Sequence, residues 1–490
     1  MTSQSLKVPI ADRTRLARLA QHLSAIGFTE DGVRAGGAAA TTAADPWSFT
    51  SGTAGEDGSP LSVITKLFFY AVPVERRLVD AALGTLSVTD LDGLGLVEVT
   101  DGLVRPMYHV RPYQGLFVAS DLPGASPEIV LGAVPASETL ARLTVRKPAA
   151  RALDLGTGCG LQALLLARHA SQVTAIDINP HAAALASFNA ALNDMSHLVV
   201  REGSWFGPVA NERFDIIACN PPYVISPDTS FTFRDGGLQR DEVSRMVIRE
   251  SAAHLAEDGF ATVLINWIHD GDWSAAIRPW LADTGCDALL MHYATVDPLS
   301  YAQRWNMELR GRDPLAFDAT VRRWLDYFRA ERIEHIGFGG VVLRRRSAAS
   351  HWVRALPMSE GPTGQCSDQI LRLFGAADFL ESPRGGDFFA HGYSLIEPHT
   401  IDQTLRYHEG RYAVAPAIFR SVPGLGLEAP VDARALEVLL ECRSDCKLGD
   451  LVEATAGNRG EPVAEIKMLI LDTARQLVER GFMVPHLNGR

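Results

Sequence analysis

The chain has 490 residues, of which 47% are hydrophobic and 21% are charged. Single hydrophobic cores stop growing near ~250–300 residues, so we expect two or three domains. This composition excludes collagen-like, coiled-coil and wholly disordered chains. The first residues lack the apolar core of a signal peptide, and no apolar stretch approaches the ~20 residues that cross a bilayer. We therefore expect a cytoplasmic protein without a membrane partner.

The net charge of −12 is spread over the whole chain. Residues 1–130 hold 10 basic and 14 acidic side chains, residues 131–360 hold 23 and 26, and residues 361–490 hold 13 and 18. None of these parts has the basic excess of a phosphate-neutralising surface. The densest basic run, residues 344–346, is expected to be a solvated strand end.

The six cysteines occur singly and form no CxxC pair, so we expect neither a disulfide framework nor a metal site. They are Cys159, Cys219, Cys286, Cys366, Cys442 and Cys446. No pattern in the sequence indicates an oligomeric state.

The first 115 residues are predicted to form a small helical, winged-helix-like domain. Residues 32–60 are rich in Gly, Ala, Ser and Thr without an apolar period, which is typical of a mobile loop. Two short helical patterns follow over residues 59–86. Residues 91–113 then read as strands joined at an Asp-Gly turn.

Residues 116–346 alternate strands with helices, the pattern of a parallel sheet covered on both faces. We therefore predict an α/β, doubly wound, seven-stranded Rossmann-like sheet, with its ligand beyond the carboxyl ends of the strands. The seven apolar strand runs are residues 150–155, 172–177, 197–202, 214–220, 260–266, 286–295 and 337–345.

The remaining residues are predicted to form a linker and a third domain. Residues 347–365 are polar and turn-rich, as in a linker. Residues 404–420 then read as a hairpin, and three helical segments and a short strand follow. Residues 366–490 are therefore a candidate for a second winged-helix-like domain.

A glycine-rich turn, DLGTGCG at residues 154–160, ends the first strand of the predicted sheet. Its glycines let the backbone turn tightly and let a ligand approach closely. The spacing is GxGxG, since Leu161 stands where a dinucleotide-binding GxGxxG would place glycine. Asp154 would repel a pyrophosphate but suits a ligand with an ammonium group.

A second carboxylate, Asp177, ends the next predicted strand. From this position it can accept hydrogen bonds from both hydroxyls of a ribose, in NAD and S-adenosylmethionine alike. The GxGxG turn and Asp154 together favour a nucleoside that carries an amino acid. The predicted cofactor is therefore S-adenosylmethionine.

The fourth predicted strand ends in the tetrad Asn220, Pro221, Pro222 and Tyr223. The side-chain oxygen of Asn220 and the carbonyl of Pro221 can each accept one N–H of a planar amide or amine. This directs the nitrogen lone pair toward a methyl donor, so that catalysis is mainly positioning. The prolines stiffen the turn, and Tyr223 can stack on the planar group.

Four motifs together, DLGTGCG, AIDINPHAAALASFNAALN, GSWF and NPPYV, resemble the class I S-adenosylmethionine-dependent methyltransferases of the NPPY type, in the small-domain methyltransferase superfamily. They are close to the HemK-like branch, which methylates the glutamine amide of translation release factors. The resemblance covers about residues 115–270. It implies that the tetrad holds the acceptor. The candidate cofactor-binding residues are Asp154, Gly156, Thr157, Gly158, Cys159, Gly160, Asp177, Ile178, Ser204, Trp205 and Asn220.

Several features depart from that pattern. Ser204 stands where many such enzymes have an acidic residue, so we expect adenine recognition through Trp205, Phe206 and backbone groups. Residues 297–335 resemble an insertion between the sixth and seventh strands. The segment after the tetrad contains Arg234 and Asp235, which could contact an acceptor or cap a helix, and we expect the cap.

The favoured function is N-methylation of a planar nitrogen of a protein or peptide, most simply a glutamine-type amide. The alternative is methylation of an exocyclic amine of a guanine or adenine in rRNA, tRNA or DNA, because the same tetrad can hold a flipped base. The basic run at 344–346 could then serve as a local patch. A cofactor-binding module without catalysis is the third and least favoured hypothesis.

Overall fold

The structure is a computed structural model. It describes residues 8–35, 58–124, 128–228, 234, 236–358, 362, 364–415, 417–421 and 424–486. Most of the predicted loop at 32–60, and Asp235, lie outside the described residues. The chain divides into two compact units, Met1–Ala141 with Lys147–Leu356 and Arg142–Arg146 with Pro357–Arg490. No helix in the described ranges is long and apolar enough to span a membrane.

The first unit begins with short helices and a three-stranded antiparallel sheet in the order β1-β3-β2. The predicted Asp-Gly turn joins β2 to β3, with Asp101 and Gly102 at φ 54° and 76°. A turn with two positive φ angles matches the twist of the paired strands. The elements are α1 (Arg13–Ala25), α2 (Glu30–Ala35), α3 (Pro60–Ile64), a π-helical turn (Thr65–Phe69), β1 (Val74–Glu75), α4 (Arg76–Ala82), α5 (Val88–Gly93), β2 (Val97–Thr100) and β3 (Leu103–Pro106).

An eight-stranded sheet forms the centre of this unit, in the order β13-β11-β12-β10-β9-β6-β7-β8. All seven predicted strands are present. An eighth, β13, lies in the segment predicted to be a linker, so the predicted strand number was one too low. The strands are β6 (Ala149–Leu155), β7 (Ala170–Asp177), β8 (Leu198–Glu202), β9 (Phe214–Cys219), β10 (Leu255–His269), β11 (Cys286–Val296), β12 (His335–Arg345) and β13 (Val353–Pro357).

The sheet is mixed, whereas a parallel one was predicted. Strands β10, β9, β6, β7 and β8 pair in parallel. Strand β12 runs antiparallel between β10 and β11. Alternation of strands and helices indicates parallel pairing, but it carries no signal for the direction of one returning strand.

Helices cover the faces of the sheet. On one face, side chains of α9 and α10 join the strands in a large apolar core, and on the other α8 contacts β7 and β8. The helices of this part are α6 (Pro135–Leu143), α7 (Leu161–Leu166), α8 (Pro180–Leu192), a 3-10 turn (Gly207–Val209), α9 (Glu242–Ala253), α10 (Trp273–Leu281), α11 (Pro298–Trp305), α12 (Met307–Arg312) and α13 (Pro314–Ala330).

A hairpin of β4 (Tyr108–Tyr113) and β5 (Leu116–Asp121) is fixed to α8 by two asparagines. Asn189 is fully buried; its side chain accepts the N–H of Ala119 at 2.8 Å and donates to the carbonyls of Ala119 and Cys159, both at 2.8 Å. Asn193 pairs with the backbone of Phe117 in the same way, at 2.9 and 2.7 Å. Side-chain amides thus replace a neighbouring strand along β5.

The basic run at 344–346 is not a solvated strand end. Asp287 on β11 is fully buried, and it forms ion pairs with Arg344 at 2.7 Å and with Arg346 at 2.9 Å. Arg345 donates to the carbonyl of Ala252 at 3.0 Å. A buried carboxylate therefore forms ion pairs with two of the three guanidinium groups. This basic run thus pairs a charge inside the fold instead of extending into solvent.

The second unit combines helices with small antiparallel sheets around its own apolar core. The predicted hairpin is present as β16 and β17, and the winged-helix assignment stays a prediction. The elements are α14 (Ser367–Glu381), 3-10 turns (Pro383–Gly386 and Phe388–Ala390), β14 (Gly392–Leu395), β15 (His399–Asp402), β16 (Leu405–His408), β17 (Arg411–Val414), β18 (Ala417–Ser421), β19 (Glu428–Val431), α15 (Ala433–Leu439), α16 (Leu448–Arg459), α17 (Val463–Glu479) and β20 (Met483–His486).

Asn189→Ala is expected to lower the free energy of unfolding by roughly 1–3 kcal/mol, because it leaves buried backbone groups of β5 unpaired. Denaturant unfolding measures this difference. The matched control is Ser187→Ala on the exposed side of the same helix, whose hydroxyl donates only to Ala183 within α8. Equal stability of the two variants would contradict the assigned role of Asn189.

Candidate cofactor and acceptor site

A cavity of about 350 Å³ opens at the carboxyl ends of β6 and β9. The two strands are adjacent and parallel, and Leu155 at the end of β6 pairs with Cys219 at the end of β9. The chain leaves these strands in opposite directions across the sheet, which creates the crevice where ligands bind in doubly wound folds. Gly156 and Asn220, which follow the paired residues, therefore both line the cavity.

The glycine-rich turn wraps one end of this cavity. Gly156, Gly158 and Gly160 adopt φ angles of 71°, 54° and 86°, which side-chain-bearing residues rarely take. Gly160 lies outside the cavity lining and begins α7, where a Cβ atom would come within 3.1 Å of the Ala186 Cβ. Its role is to let α7 approach α8.

The carboxylate of Asp177 ties this turn to β7. One oxygen accepts the N–H of Gly158 at 2.8 Å, and the other accepts the N–H of Asn179 at 2.9 Å. Burial raises the pKa of Asp177, against the opposing effect of these hydrogen bonds. Each carboxylate oxygen keeps a further lone pair for the cavity. Asp177 can thus accept from two ligand hydroxyls while holding the turn.

Asp154 is a buried acid at the base of the turn, with 1% of its surface exposed. One of its oxygens accepts the Thr157 hydroxyl at 2.6 Å and the N–H of Ala163 at 2.9 Å. Burial raises its pKa to about 7. No basic side chain of the described residues forms an ion pair with it. The arrangement therefore suits a ligand that brings its own positive charge.

The segment after β8 forms another part of the wall. Ser204 and Trp205 line the cavity, as does Ile178, which is 62% exposed. Phe206 lies instead in the core, stacked on His254 at 4.4 Å between ring centroids. The expected contact between Phe206 and adenine is therefore not made from this position, since Phe206 lies outside the cavity lining.

Asn220, Pro221 and Pro222 also line the cavity. The side-chain oxygen of Asn220 is buried and has no hydrogen-bond partner in the described chain. The carbonyl of Pro221 accepts the N–H of Tyr223 at 2.8 Å and has a second lone pair. A buried acceptor without a donor costs free energy, so this site is arranged to receive N–H groups from a bound molecule.

Tyr223 does not line this cavity, although it was predicted to stack on the acceptor. Its ring packs against the apolar cluster formed by α11 and α13. Burial raises its pKa to about 12, which keeps the phenol neutral. Tyr223 thus fixes the tetrad to the insertion.

Residues 129–131 form a cavity wall that the sequence did not predict. Asp121, which ends β5, accepts the N–H of Val130 at 2.7 Å, and Asn179 donates to the carbonyl of Glu128 at 3.0 Å. No periodicity marks this short segment. The only signal in the sequence is the strand pattern of β5, which ends shortly before this segment.

Comparison with known families identifies the domain that holds this cavity. The family model "Methyltransferase small domain" matches residues 135–270. A second model, "Domain of unknown function (DUF7059)", matches residues 25–107. Residues 135–270 therefore form a class I methyltransferase domain of the small-domain superfamily, which confirms the resemblance seen in the sequence.

Curated relatives align with the same region. The release factor glutamine methyltransferase of Xylella fastidiosa (strain Temecula1) is 34% identical over 167 residues, covering 31% of this chain and 58% of the relative. The enzyme of that name from Vibrio cholerae is 32% identical, covering 34% and 64%. The ribosomal protein uL3 glutamine methyltransferase of Bradyrhizobium diazoefficiens is 34% identical, covering 22% and 38%. The chain thus spans less than two thirds of the length of each.

Proposed function

We propose that this chain is an S-adenosylmethionine-dependent N-methyltransferase whose acceptor is a glutamine-type amide of a protein or peptide. The observation that carries the proposal is the buried, unpartnered side-chain oxygen of Asn220 in the cavity wall. The relatives that methylate glutamine in release factors and in ribosomal protein uL3 support the choice of acceptor. Such an acceptor is consistent with the predicted cytoplasmic location.

The residues around the cavity fit S-adenosylmethionine. Asp177 would accept the ribose hydroxyls, and Asp154 would attract the positive charge of the amino-acid part. The glycine turn would admit the ligand without a side chain in its way. Trp205 and Ile178 offer apolar surface for the adenine. When bound, this cofactor supplies an electrophilic methyl group.

The tetrad would supply orientation rather than strong base catalysis. Asn220 accepts one N–H of the acceptor amide through its side-chain oxygen, and Pro221 accepts the other through its free lone pair. The nitrogen is thereby fixed with both hydrogens turned away from the methyl donor. Its proton becomes acidic only as the new N–C bond forms, so it can leave late to solvent.

An exocyclic amine of a nucleic-acid base is the second candidate, because it presents the same two N–H groups to the tetrad. The basic run at 344–346 no longer favours it, since Asp287 pairs with Arg344 and Arg346. A protein acceptor therefore stands first.

Two substitutions separate cofactor binding from methyl transfer. Asp177→Ala should abolish S-adenosylmethionine binding in calorimetry, because it removes the ribose acceptor and the hydrogen bond to Gly158. Asn220→Ala should leave binding within about twofold and lower turnover by 10²-fold or more, roughly the loss expected from a misplaced reacting atom. Turnover is measured as transfer of labelled methyl to a purified release factor. Retained turnover in Asn220→Ala would refute the proposed mechanism.

Cofactor affinity should depend on pH through Asp154. Because its pKa is about 7, the carboxyl is increasingly protonated at lower pH and no longer attracts a cation. The affinity for S-adenosylmethionine should therefore fall below pH 7, by up to about tenfold per pH unit, and level off above about pH 8. Calorimetry across this range measures the effect.

Asp154→Asn is the matched variant for this pH dependence. It keeps the size of the side chain but removes the ionisation, so it should bind more weakly and with little change from about pH 6 to pH 8. A pH dependence that persists in this variant would assign the titration to another group.

A further inference from the structure

Helices α11 to α13, inserted between β11 and β12, form one wall around the acceptor loop, residues 220–228. Together with this loop they build an apolar cluster. Its buried members are Val224, Ile225, Tyr301, Ala302, Phe317, Val321, Trp324, Phe328, Ile333 and Ile336. The loop is therefore shaped by the insertion as well as by the sheet.

Three successive backbone amides after the prolines have three different acceptors. The N–H of Tyr223 donates to Pro221 at 2.8 Å, and the N–H of Val224 donates to the carbonyl of Arg234 at 3.2 Å. The N–H of Ile225 donates to the hydroxyl of Tyr301 at 2.9 Å. This last acceptor is a side chain of α11, far along the chain.

The Tyr301 hydroxyl lies where the loop, the insertion and the sheet meet. Tyr301 is fully buried, and its hydroxyl also accepts a hydrogen bond from the side chain of Asn266 on β10 at 2.8 Å. The hydroxyl of Ser244 on α9 donates to the backbone carbonyl of Asn266 at 2.7 Å. The oxygen of Tyr301 is thus held by a rigid part of the fold.

The end of the loop is held by the same insertion. The carboxylate of Asp228 accepts the indole N–H of Trp324 at 2.8 Å and forms an ion pair with Arg323 at 2.6 Å, both on α13. Arg234, which was expected to cap a helix, is buried, and its guanidinium lies 3.8 Å from Asp228. With β9 holding the start, the loop is constrained at both ends and, through Tyr301, in its middle.

We propose that Tyr301 is a positioning residue for methyl transfer. By accepting from Ile225 it fixes the loop so that the Asn220 oxygen and the Pro221 carbonyl face one nitrogen. This role rests on the proposed function of the tetrad. Tyr301 is not among the residues that line the cofactor cavity. Its loss should therefore affect the chemical step and spare cofactor binding.

The test substitution is Tyr301→Phe, which removes the hydroxyl and keeps the ring. Ile225 and Asn266 then lose their common acceptor, and the loop shifts to satisfy the buried amide. We expect kcat for labelled methyl transfer to a release factor to fall by roughly 10- to 100-fold. A displacement of the reacting atoms by about 1 Å can lower a rate to this extent. The KM values for both substrates, and the cofactor Kd from calorimetry, should stay within about twofold of the wild-type values.

The matched control is Tyr327→Phe on α13. Its hydroxyl accepts the N–H of Arg240 at 3.1 Å, outside the acceptor loop. The same chemical change should leave kcat close to that of the wild type. Unchanged kcat in Tyr301→Phe would overturn the positioning role while leaving the proposed function intact. A wild-type enzyme that transfers no methyl group would instead refute the proposed function and the role that rests on it.

A second variant covers the case in which Tyr301→Phe does not fold. Asn266→Ala removes one of the two hydrogen bonds to the hydroxyl and leaves the insertion helices unchanged. It should lower kcat in the same selective way, by a smaller factor. A parallel loss of cofactor affinity and kcat in either folded variant would show a general structural effect and contradict the proposal.

Discussion

The parallel pairing of β6 with β9 is the constraint on which the candidate site depends. The register sets Leu155 beside Cys219, so the next residues, Gly156 and Asn220, leave the sheet at the same edge. A shift of this pairing would separate the cofactor turn from the acceptor tetrad. The apolar core on the α9 and α10 face, together with the packing of α8 on the other face, holds the strands in that register.

Two buried polar groups next to this edge each lack a partner within the described chain, an ion-pair partner in one case and a hydrogen-bond donor in the other. Asp154 is a deeply buried carboxylate without an ion-pair partner in the described chain, and Asn220 has a side-chain oxygen without a donor. The fully buried carboxylate of Asp287, by contrast, forms ion pairs with Arg344 and Arg346. Under the proposed function, Asp154 would match the cationic part of the methyl donor and Asn220 would match one N–H of the acceptor, which accounts for the contrast.

The sequence predicted the strands and the part of the cavity lining that directly follows strand ends, because short-range patterns encode them. Apolar runs mark the seven strands, and the turn at residues 154–160 and the carboxylate Asp177 follow directly from strand ends. The antiparallel β12, the cavity wall at 129–131 and the inward turn of Phe206 depend on contacts between distant segments. The pairing of Tyr301 with Ile225 spans 76 positions along the chain, beyond the reach of any local periodicity.

We propose above that the acceptor nitrogen belongs to a protein. The most direct test is transfer of tritiated methyl from S-adenosylmethionine into a lysate of a strain that lacks this chain, with parallel protease and nuclease treatment. We predict label that protease releases and nuclease leaves in place, and that disappears when Asn220→Ala replaces the wild-type enzyme. Label released only by nuclease would contradict a protein acceptor and assign the tetrad to a nucleic-acid base.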